Sequence, residues 1–133
     1  MNKFDNYKLI MIYINESHKT MLEDFFDDIH FHMYTVQRKA ESVWSEKLKH
    51  KNTQIWPGTD CIFLLSLPGD KVDNMLKMLK TFRASLPYEI VMAIGVIPME
   101  RTIPNISRED SVGIDACEGK ANLVHLYEGM SSE

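Results

Sequence analysis

Apolar residues along this chain form uninterrupted runs in some stretches and a one-sided helical repeat in others. Residues 60–67 are apolar at nearly every position and are bracketed by Pro and Gly. Because successive side chains of a strand point to opposite faces, this run predicts a strand that is buried on both faces. Residues 7–15 have the same character and predict a second buried strand. The strand at 60–67 is expected to lie in the centre of a small sheet.

Two further stretches repeat apolar residues every three or four positions, which is the spacing of an amphipathic helix. The first follows capping residues at 15–17. Its apolar face comprises Met21, Leu22, Phe25, Phe26 and Ile29. The second helix ends at residues 84–87. Its apolar face comprises Val72, Met75, Leu76, Leu79 and Phe82.

Two more strands complete the regular elements. Residues 30–39 are rich in aromatic and β-branched side chains, and residues 88–98 are apolar on both faces, so each stretch predicts a strand. The polar residues 40–54 that precede the central strand are long for a hairpin connection. Long connections of this kind tend to be mobile or functional.

Beyond Met99 the pattern weakens, and we treat residues 104–133 as a C-terminal extension of a domain at 1–103. Residues 111–116 and 122–127 are each expected to form a short edge strand in this extension.

The order strand, helix, strand, strand, helix, strand predicts an α+β fold, the ferredoxin-like βαββαβ sandwich, with both helices on one face of the sheet. The other face would then expose several hundred square ångströms of apolar surface, more than a soluble monomer normally shows. At about 25 cal/mol per Å², leaving that face in water forgoes on the order of 10 kcal/mol. We therefore predict a homo-oligomer whose copies cover the face. The alternative is that the chain after Met99 folds across it.

Composition narrows the class of protein. The net charge of −4 and the absence of a basic run argue against nucleic acid as a partner. Cys61 and Cys117 match no metal or redox spacing, and Cys61 is expected to be an apolar core residue. The apolar run at residues 9–14 is too short to span a membrane, so we expect a soluble cytoplasmic protein. No nucleophile, Cys/His or paired-carboxylate constellation indicates an enzyme.

Three short motifs add a family resemblance to this order of elements. They are residues 32–35 (His-Met-Tyr-Thr), residues 55–58 (Ile-Trp-Pro-Gly) and residues 98–100 (Pro-Met-Glu). Together they resemble the PII-like group of nitrogen-regulatory-protein relatives over residues 7–103. Residues 86–91, followed by Ile-Pro at 97–98, are also similar to the divalent-ion tolerance protein CutA, which has the same superfamily fold.

The PII-like resemblance implies a tight homotrimer with inward-facing sheets and small-ligand sites in the clefts between subunits. It also implies a projecting T-loop, here residues 40–56, that contacts a target such as a transporter or an enzyme. Proteins of this group act mainly as sensors of a small effector. The sequence differs from the PII pattern at residues 84–89, which contain no glycine where PII proteins have a glycine-rich phosphate-binding segment. The loop also contains no tyrosine that could be nucleotidylated.

His30 and His32 are the candidate metal ligands, because alternate residues of a strand project the same way and imidazole suits Zn, Cu and Ni. A third ligand would come from His50, from Glu100 or from a neighbouring subunit. The alternative is that one histidine caps the preceding helix while the other lies half-buried at an interface. The cofactor is thus expected to be a nucleotide or a divalent transition metal, the latter corresponding to a CutA-like function.

The remaining candidates concern a small organic ligand. Tyr34 and Arg38 lie on the same predicted strand face as the two histidines. Trp56 either stacks on a planar ligand beside a subunit cleft or anchors the base of the loop by packing its indole. Glu100 and Arg101 follow the last strand, where the resemblance implies a cleft, although both could equally be solvated surface charges.

Overall fold

The structure is a computed structural model, and it describes residues 6–53, 58–108 and 120–131. The chain divides into two compact units, Met1–Thr102 and Ile103–Glu133. The first unit is an α+β domain built on a four-stranded antiparallel sheet, and the second contains a helix.

The elements of the first unit occur in the predicted order, with one addition. They are β1 (Tyr7–Asn15), α1 (Lys19–Asp28), β2 (Tyr34–Ala40), β3 (Ser42–Ser45), β4 (Leu48–His50), β5 (Asp60–Pro68), α2 (Val72–Ser85) and β6 (Met92–Pro98). Short 3₁₀ turns at Glu16–His18 and Gly69–Lys71 lead into the two helices. The main sheet has the strand order β2-β5-β1-β6, so β1 and β5 are central, as predicted for 7–15 and 60–67.

The hydrophobic core lies between the two helices and one face of the sheet, which we call the covered face. Ile10 and Ile12 of β1 and Phe63 of β5 point into it and are fully buried. The helices contribute the apolar residues that their spacing predicted, with Leu22, Phe26, Val72, Met75, Leu79 and Phe82 all buried. Amphipathic periodicity therefore identified the residues that hold the helices on the sheet.

The opposite sheet face, which we call the open face, carries apolar side chains that the two helices do not bury. Met11 pairs with Leu64, and Tyr13 pairs with Ile62, on the two central strands. From Leu9 in β1 and from Cys61 in β5, burial alternates from one residue to the next, so these four residues are only half-buried while their covered-face neighbours are buried. The sequence predicted strands that are apolar on both faces. The helices cover only one of these faces.

The second strand begins four residues later than predicted, because α1 ends in a Schellman motif. The N–H of Phe31 donates to the carbonyl of Phe26 (2.8 Å), and the N–H of His30 donates to that of Asp27 (3.0 Å). His30 has φ +61°, the left-handed conformation of that motif. The rings of Phe26 and Phe31 are 5.4 Å apart and complete the cap. The prediction that His30 and His32 share a strand face is therefore wrong.

Other predictions also differ from the structure. The last strand was expected to begin at residue 88 and begins at Met92. Residues 40–54 contain the small hairpin formed by β3 and β4, where we expected only a loop. Residues 122–127 were expected to form an edge strand and instead lie in α3 (Lys120–Ser131), the helix of the second unit. The strand predicted at 111–116 falls outside the described residues, as does Cys117.

Cys61 is a core residue, as predicted, and is fully buried on the covered face of β5. Its burial, with a smaller contribution from the negative charge of Glu16, raises the pKa of the thiol to about 11. At pH 8 about 0.1% of such a thiol is ionised, whereas an ordinary cysteine is about 20% ionised.

In a Cys117→Ser variant, we therefore expect the remaining thiol of Cys61 to react with a disulfide reagent at pH 8 more than about a hundredfold more slowly in the native protein than in denaturant. Stopped-flow absorbance measures both rates on the same sample. Equal rates would contradict the burial of Cys61.

Candidate functional site

The sheet has two ends that carry different groups. The upper end is where β1 finishes at Asn15 and β5 begins at Asp60, and these two residues pair. The lower end is where β1 begins and β6 finishes, with Lys8 paired to Pro98. Seven residues of extended strand separate Lys8 from Asn15, so the two ends are about 23 Å apart.

A buried carboxylate lies at the upper end. The side chain of Asp60 is fully buried and accepts a hydrogen bond from Trp44 Nε1 at 2.8 Å. Its other oxygen, Oδ1, is 2.7 Å from His50 Nδ1, and only 14% of the His50 side chain is exposed. A buried carboxylate must be paired or hydrogen-bonded, and Asp60 obtains both partners from the hairpin formed by β3 and β4.

Further contacts attach this hairpin to the sheet. The Trp44 ring packs edge-on against Tyr13 of the open face, with ring centroids 6.2 Å apart. The N–H of Asn52 donates to the carbonyl of Gly58 at 2.8 Å and closes the connection to β5. Gly58 has φ +83°, a conformation that favours glycine. Residues 42–50 of the predicted T-loop are therefore attached to the sheet through these contacts and do not form a wholly free loop.

Glu16 forms a second polar contact beside Asp60. The β2–β5 pairing is irregular between Gln37 and Ala40, and Lys39 adopts φ +60° there. This irregularity frees the N–H of Lys39, which donates a hydrogen bond to the carboxylate of Glu16. The same carboxylate accepts a hydrogen bond from Arg38 Nη2 at 3.4 Å. Burial of Glu16 favours its neutral form, but these hydrogen bonds and the Arg38 charge outweigh that effect and hold the pKa of Glu16 below its ordinary value of 4.5.

A Glu16→Gln variant is expected to lose about 1 kcal/mol of unfolding free energy at neutral pH, because a charge-assisted hydrogen bond is replaced by a neutral one. A carboxylate with a lowered native pKa stabilises the fold above its unfolded pKa, and that contribution disappears as the pH falls through the native pKa. The difference between wild type and variant should thus be constant above about pH 5.5 and shrink below pH 4.5. Urea denaturation across this range measures it, and a difference independent of pH would contradict the assignment.

The structure distributes the sequence-predicted ligand residues between the two ends. Arg38 lies at the upper end beside Glu16, with its side chain largely exposed. Trp56 lies outside the described residues. Glu100 and Arg101 follow β6 at the lower end, are exposed, and line a shallow open depression with Met99. Within one chain, Arg38 and Arg101 therefore cannot contact the same small molecule.

Tyr34 begins β2 and points into the covered face. Its ring lies 5.0 Å from that of Phe26 and 5.6 Å from that of Phe63, and it stacks on Phe31. Burial, reinforced by the negative charge of Glu23, raises the pKa of its hydroxyl. These contacts give Tyr34 a packing role within the subunit.

The two histidines have separate surroundings. His32 is exposed and has Nδ1 3.4 Å from a carboxylate oxygen of Asp27. His30 lines a cavity at the lower end of the sheet. Among residues 6–53, 58–108 and 120–131, no group of three or more His, Cys, Asp or Glu side chains is placed to hold a metal ion. Metal binding by either histidine stays a prediction.

Residues 86–91 connect α2 to β6 at the upper end, and two side-chain contacts fix this connection. Arg83 donates to the carbonyl of Leu86 (3.3 Å) and to a carboxylate oxygen of Glu89 (3.2 Å). The ring of Tyr88 packs against that of His18, with centroids 5.7 Å apart. The segment is thus fastened by an ion pair and an aromatic contact.

Comparison with known proteins relates this architecture to solved structures. No family model and no curated protein matches the sequence. A crystal structure of a functionally unknown protein from Pediococcus pentosaceus is 16% identical, covering 74% of this chain and 97% of that one, with a TM-score of 0.52. A structure of CPII from Thiomonas intermedia bound to ADP and bicarbonate is also 16% identical, covering 71% and 89%, with a TM-score of 0.50. CPII itself is described as a nitrogen regulatory PII-like protein. This chain has the PII-like fold.

The PII-like fold confirms the βαββαβ prediction and, at the level of the fold, the resemblance to PII-like proteins. Sequence reasoning did not identify Glu16, Trp44 or Asp60 as functional candidates. The available signals were an aspartate opening an otherwise apolar strand and a tryptophan within a polar loop. A buried charge at the start of a core strand requires partners, and Trp44 and His50 were the donors within reach along the chain.

Proposed function

We propose that this protein is a PII-like regulator, a homotrimer that binds a small effector between its subunits and controls a target through residues 40–56. The observation that carries the proposal is the uncovered apolar face of a sheet with the PII-like fold. Contiguous apolar side chains that a subunit leaves partly accessible are typical of interaction surfaces. Three copies that turn their open faces inward would bury Met11, Ile62 and Leu64.

The effector site that we propose lies between subunits. Arg38 lies at the upper end and Arg101 at the lower end of a sheet whose central strand β1 is about 23 Å long between Lys8 and Asn15. A cleft between the upper end of one subunit and the lower end of the next would bring both to one ligand. The exposed Arg38 guanidinium suits a phosphate or carboxylate group, because its planar donors match such anions.

A nucleotide or another small anion is the effector class that we favour. The structural neighbour CPII is described with ADP and bicarbonate bound, and we extend the expectation of an anionic ligand from it. The ion pair of Arg83 with Glu89 and the absence of glycine in residues 84–89 imply that a nucleotide would be held by side chains more than by a glycine-rich loop.

A thermal-shift screen tests the effector. ADP, ATP, AMP and bicarbonate form one arm, and Zn²⁺ and Cu²⁺ form the other, which tests the CutA-like alternative. A ligand present at about 100 times its dissociation constant stabilises the native state by roughly 2.7 kcal/mol. We expect an anion to raise the unfolding midpoint of the wild type and of a Lys47→Met control, but not of Arg38→Met. Each shift is referred to the ligand-free midpoint of the same variant.

The outcomes of this screen separate the alternatives. Stabilisation by transition metals alone would favour the CutA-like function. Stabilisation by neither arm would contradict the sensor proposal and leave an oligomeric adaptor. Equal responses of Arg38→Met and Lys47→Met to an anion would contradict the site.

We further propose that the hairpin turn contacts the target, which we expect to be a transporter or an enzyme. We also propose that the protein acts in the cytoplasm and does not itself catalyse a reaction. Glu46 and Lys47 at the turn are exposed. Reversing both charges should abolish target binding and leave the effector response unchanged. No helix in the part of the chain described by the structure is long and apolar enough to cross a membrane.

A further inference from the structure

The lower end of the domain holds a cavity that the proposed regulatory function does not use. It has a volume of about 530 Å³, within the range typical of small-molecule sites. It lies where α1 ends and α2 begins, so residues of the segment after α1, of α2 and of β5 line it. Its wall is mostly apolar, and Phe31, Met33, Met75 and Met78 form a large part of it. Methionine side chains adapt to ligands of varied shape.

The polar groups around this cavity favour an anion. Among its described lining residues, Lys71 is the one that carries a fixed charge, and none is a carboxylate. Asn74 lies one turn further along the same side of the helix start and adds an amide donor. The anionic end of a ligand would therefore lie beside Lys71 and Asn74.

We propose that this cavity binds an amphipathic monocarboxylate, with its apolar chain against the methionines and its carboxylate beside Lys71 and Asn74. A positive charge at the rim of an apolar pocket matches a molecule with one anionic end and an apolar body. The Lys71 ammonium supplies a charge-assisted hydrogen bond, and the Asn74 amide adds a second donor.

The cavity is separate from the effector site between subunits. It lies beside β5 and the start of α2, whereas Arg38 of the proposed effector site is at the upper end and Arg101 follows β6, the strand at the other edge of the sheet. Ligand binding there is therefore expected whether or not the protein assembles as a trimer, and failure of one proposal leaves the other standing.

Methyl NMR of the full-length protein tests the site, with octanoate as the probe and the nine methionines labelled at their methyl groups. Octanoate below its micellar concentration should shift the signals of Met33, Met75 and Met78 with a single saturating affinity. Met21, which is exposed on α1 and contacts Tyr88 at the upper end, should not move. Octanol and octylammonium, which have the same chain length, should bind at least about tenfold more weakly, because they lack the carboxylate.

A matched pair of variants tests the charge. Lys71→Met removes the ammonium, and Lys80→Met makes the same change at an exposed position of α2 that does not line the cavity. Octanoate affinity should fall about tenfold in the first and stay unchanged in the second. The proposal is overturned if octanoate leaves the three methionine signals in place, if octylammonium binds equally well, or if both variants match the wild type.

Discussion

Leu64→Lys is expected to convert the homotrimer that we propose into a monomer. Leu64 lies in the middle of the open face, paired with Met11 on the adjacent central strand. In the trimer each copy would bury this position against its neighbours, so the variant would place an unpaired ammonium in an apolar interface. The effective penalty for burying one such charge is several kcal/mol, and a trimer would incur it three times.

Light scattering coupled to gel filtration measures this change as a mass. Thr20→Lys adds the same charge at an exposed position of α1 and should keep the wild-type mass. Leu64 is half-buried within its own chain, so the Lys variant should keep the circular dichroism spectrum of a folded domain. If Leu64→Lys assembled as the wild type does, the open face would not be the interface.

Asp60→Ala is expected to lower the unfolding free energy by about 3 kcal/mol, because it leaves Trp44 and His50 without their acceptor, at about 1–3 kcal/mol for each buried group. Trp44→Phe keeps the aromatic packing on Tyr13 and removes a single donor, so it should lose only about 1 kcal/mol. Asp24→Ala removes an exposed carboxylate from α1 and should stay within about 0.5 kcal/mol of wild type.

Urea denaturation at a fixed protein concentration measures these differences, since assembly adds to the apparent stability. Trypsin provides a local measurement, because loss of the Asp60 contacts should release the hairpin and accelerate cleavage after the exposed Lys47. An Asp60→Ala protein as stable as Asp24→Ala, with unchanged cleavage at Lys47, would show that Asp60 does not hold the hairpin.

The elements that were predictable from the sequence are those whose side chains define a buried face. The strand at Tyr7–Asn15 and the helix at Val72–Ser85 each place an apolar residue wherever the core requires one. Their periodicity reports burial directly, and burial is the largest favourable contribution to folding. The order of such elements was then sufficient to predict the sheet and its helix layer.

The parts that were not predictable depend on contacts between residues distant in the chain or on backbone geometry. The hairpin at Ser42–Ser45 and Leu48–His50 has few apolar residues, and its attachment depends on Asp60, ten residues beyond His50. The late start of β2 follows from the left-handed His30 at a helix end, a position that glycine more often occupies. Neither feature leaves a periodic pattern in the sequence.

The helix at Lys120–Ser131 was mistaken for a strand because its short apolar runs fit either period. Leu123, Tyr127 and Met130 follow the helical spacing, while adjacent Leu and Val residues favour a strand over a window of six residues. For the candidate site, sequence reasoning identified Arg38 but not its partner Glu16, since residues 22 positions apart meet only through the sheet.

Sedimentation equilibrium of the wild-type protein at micromolar concentration tests the central claim, that copies of this chain cover the open face of the sheet. The account predicts a single species of three times the 15.4 kDa chain mass. A species of 15.4 kDa that does not associate as the concentration rises would contradict it.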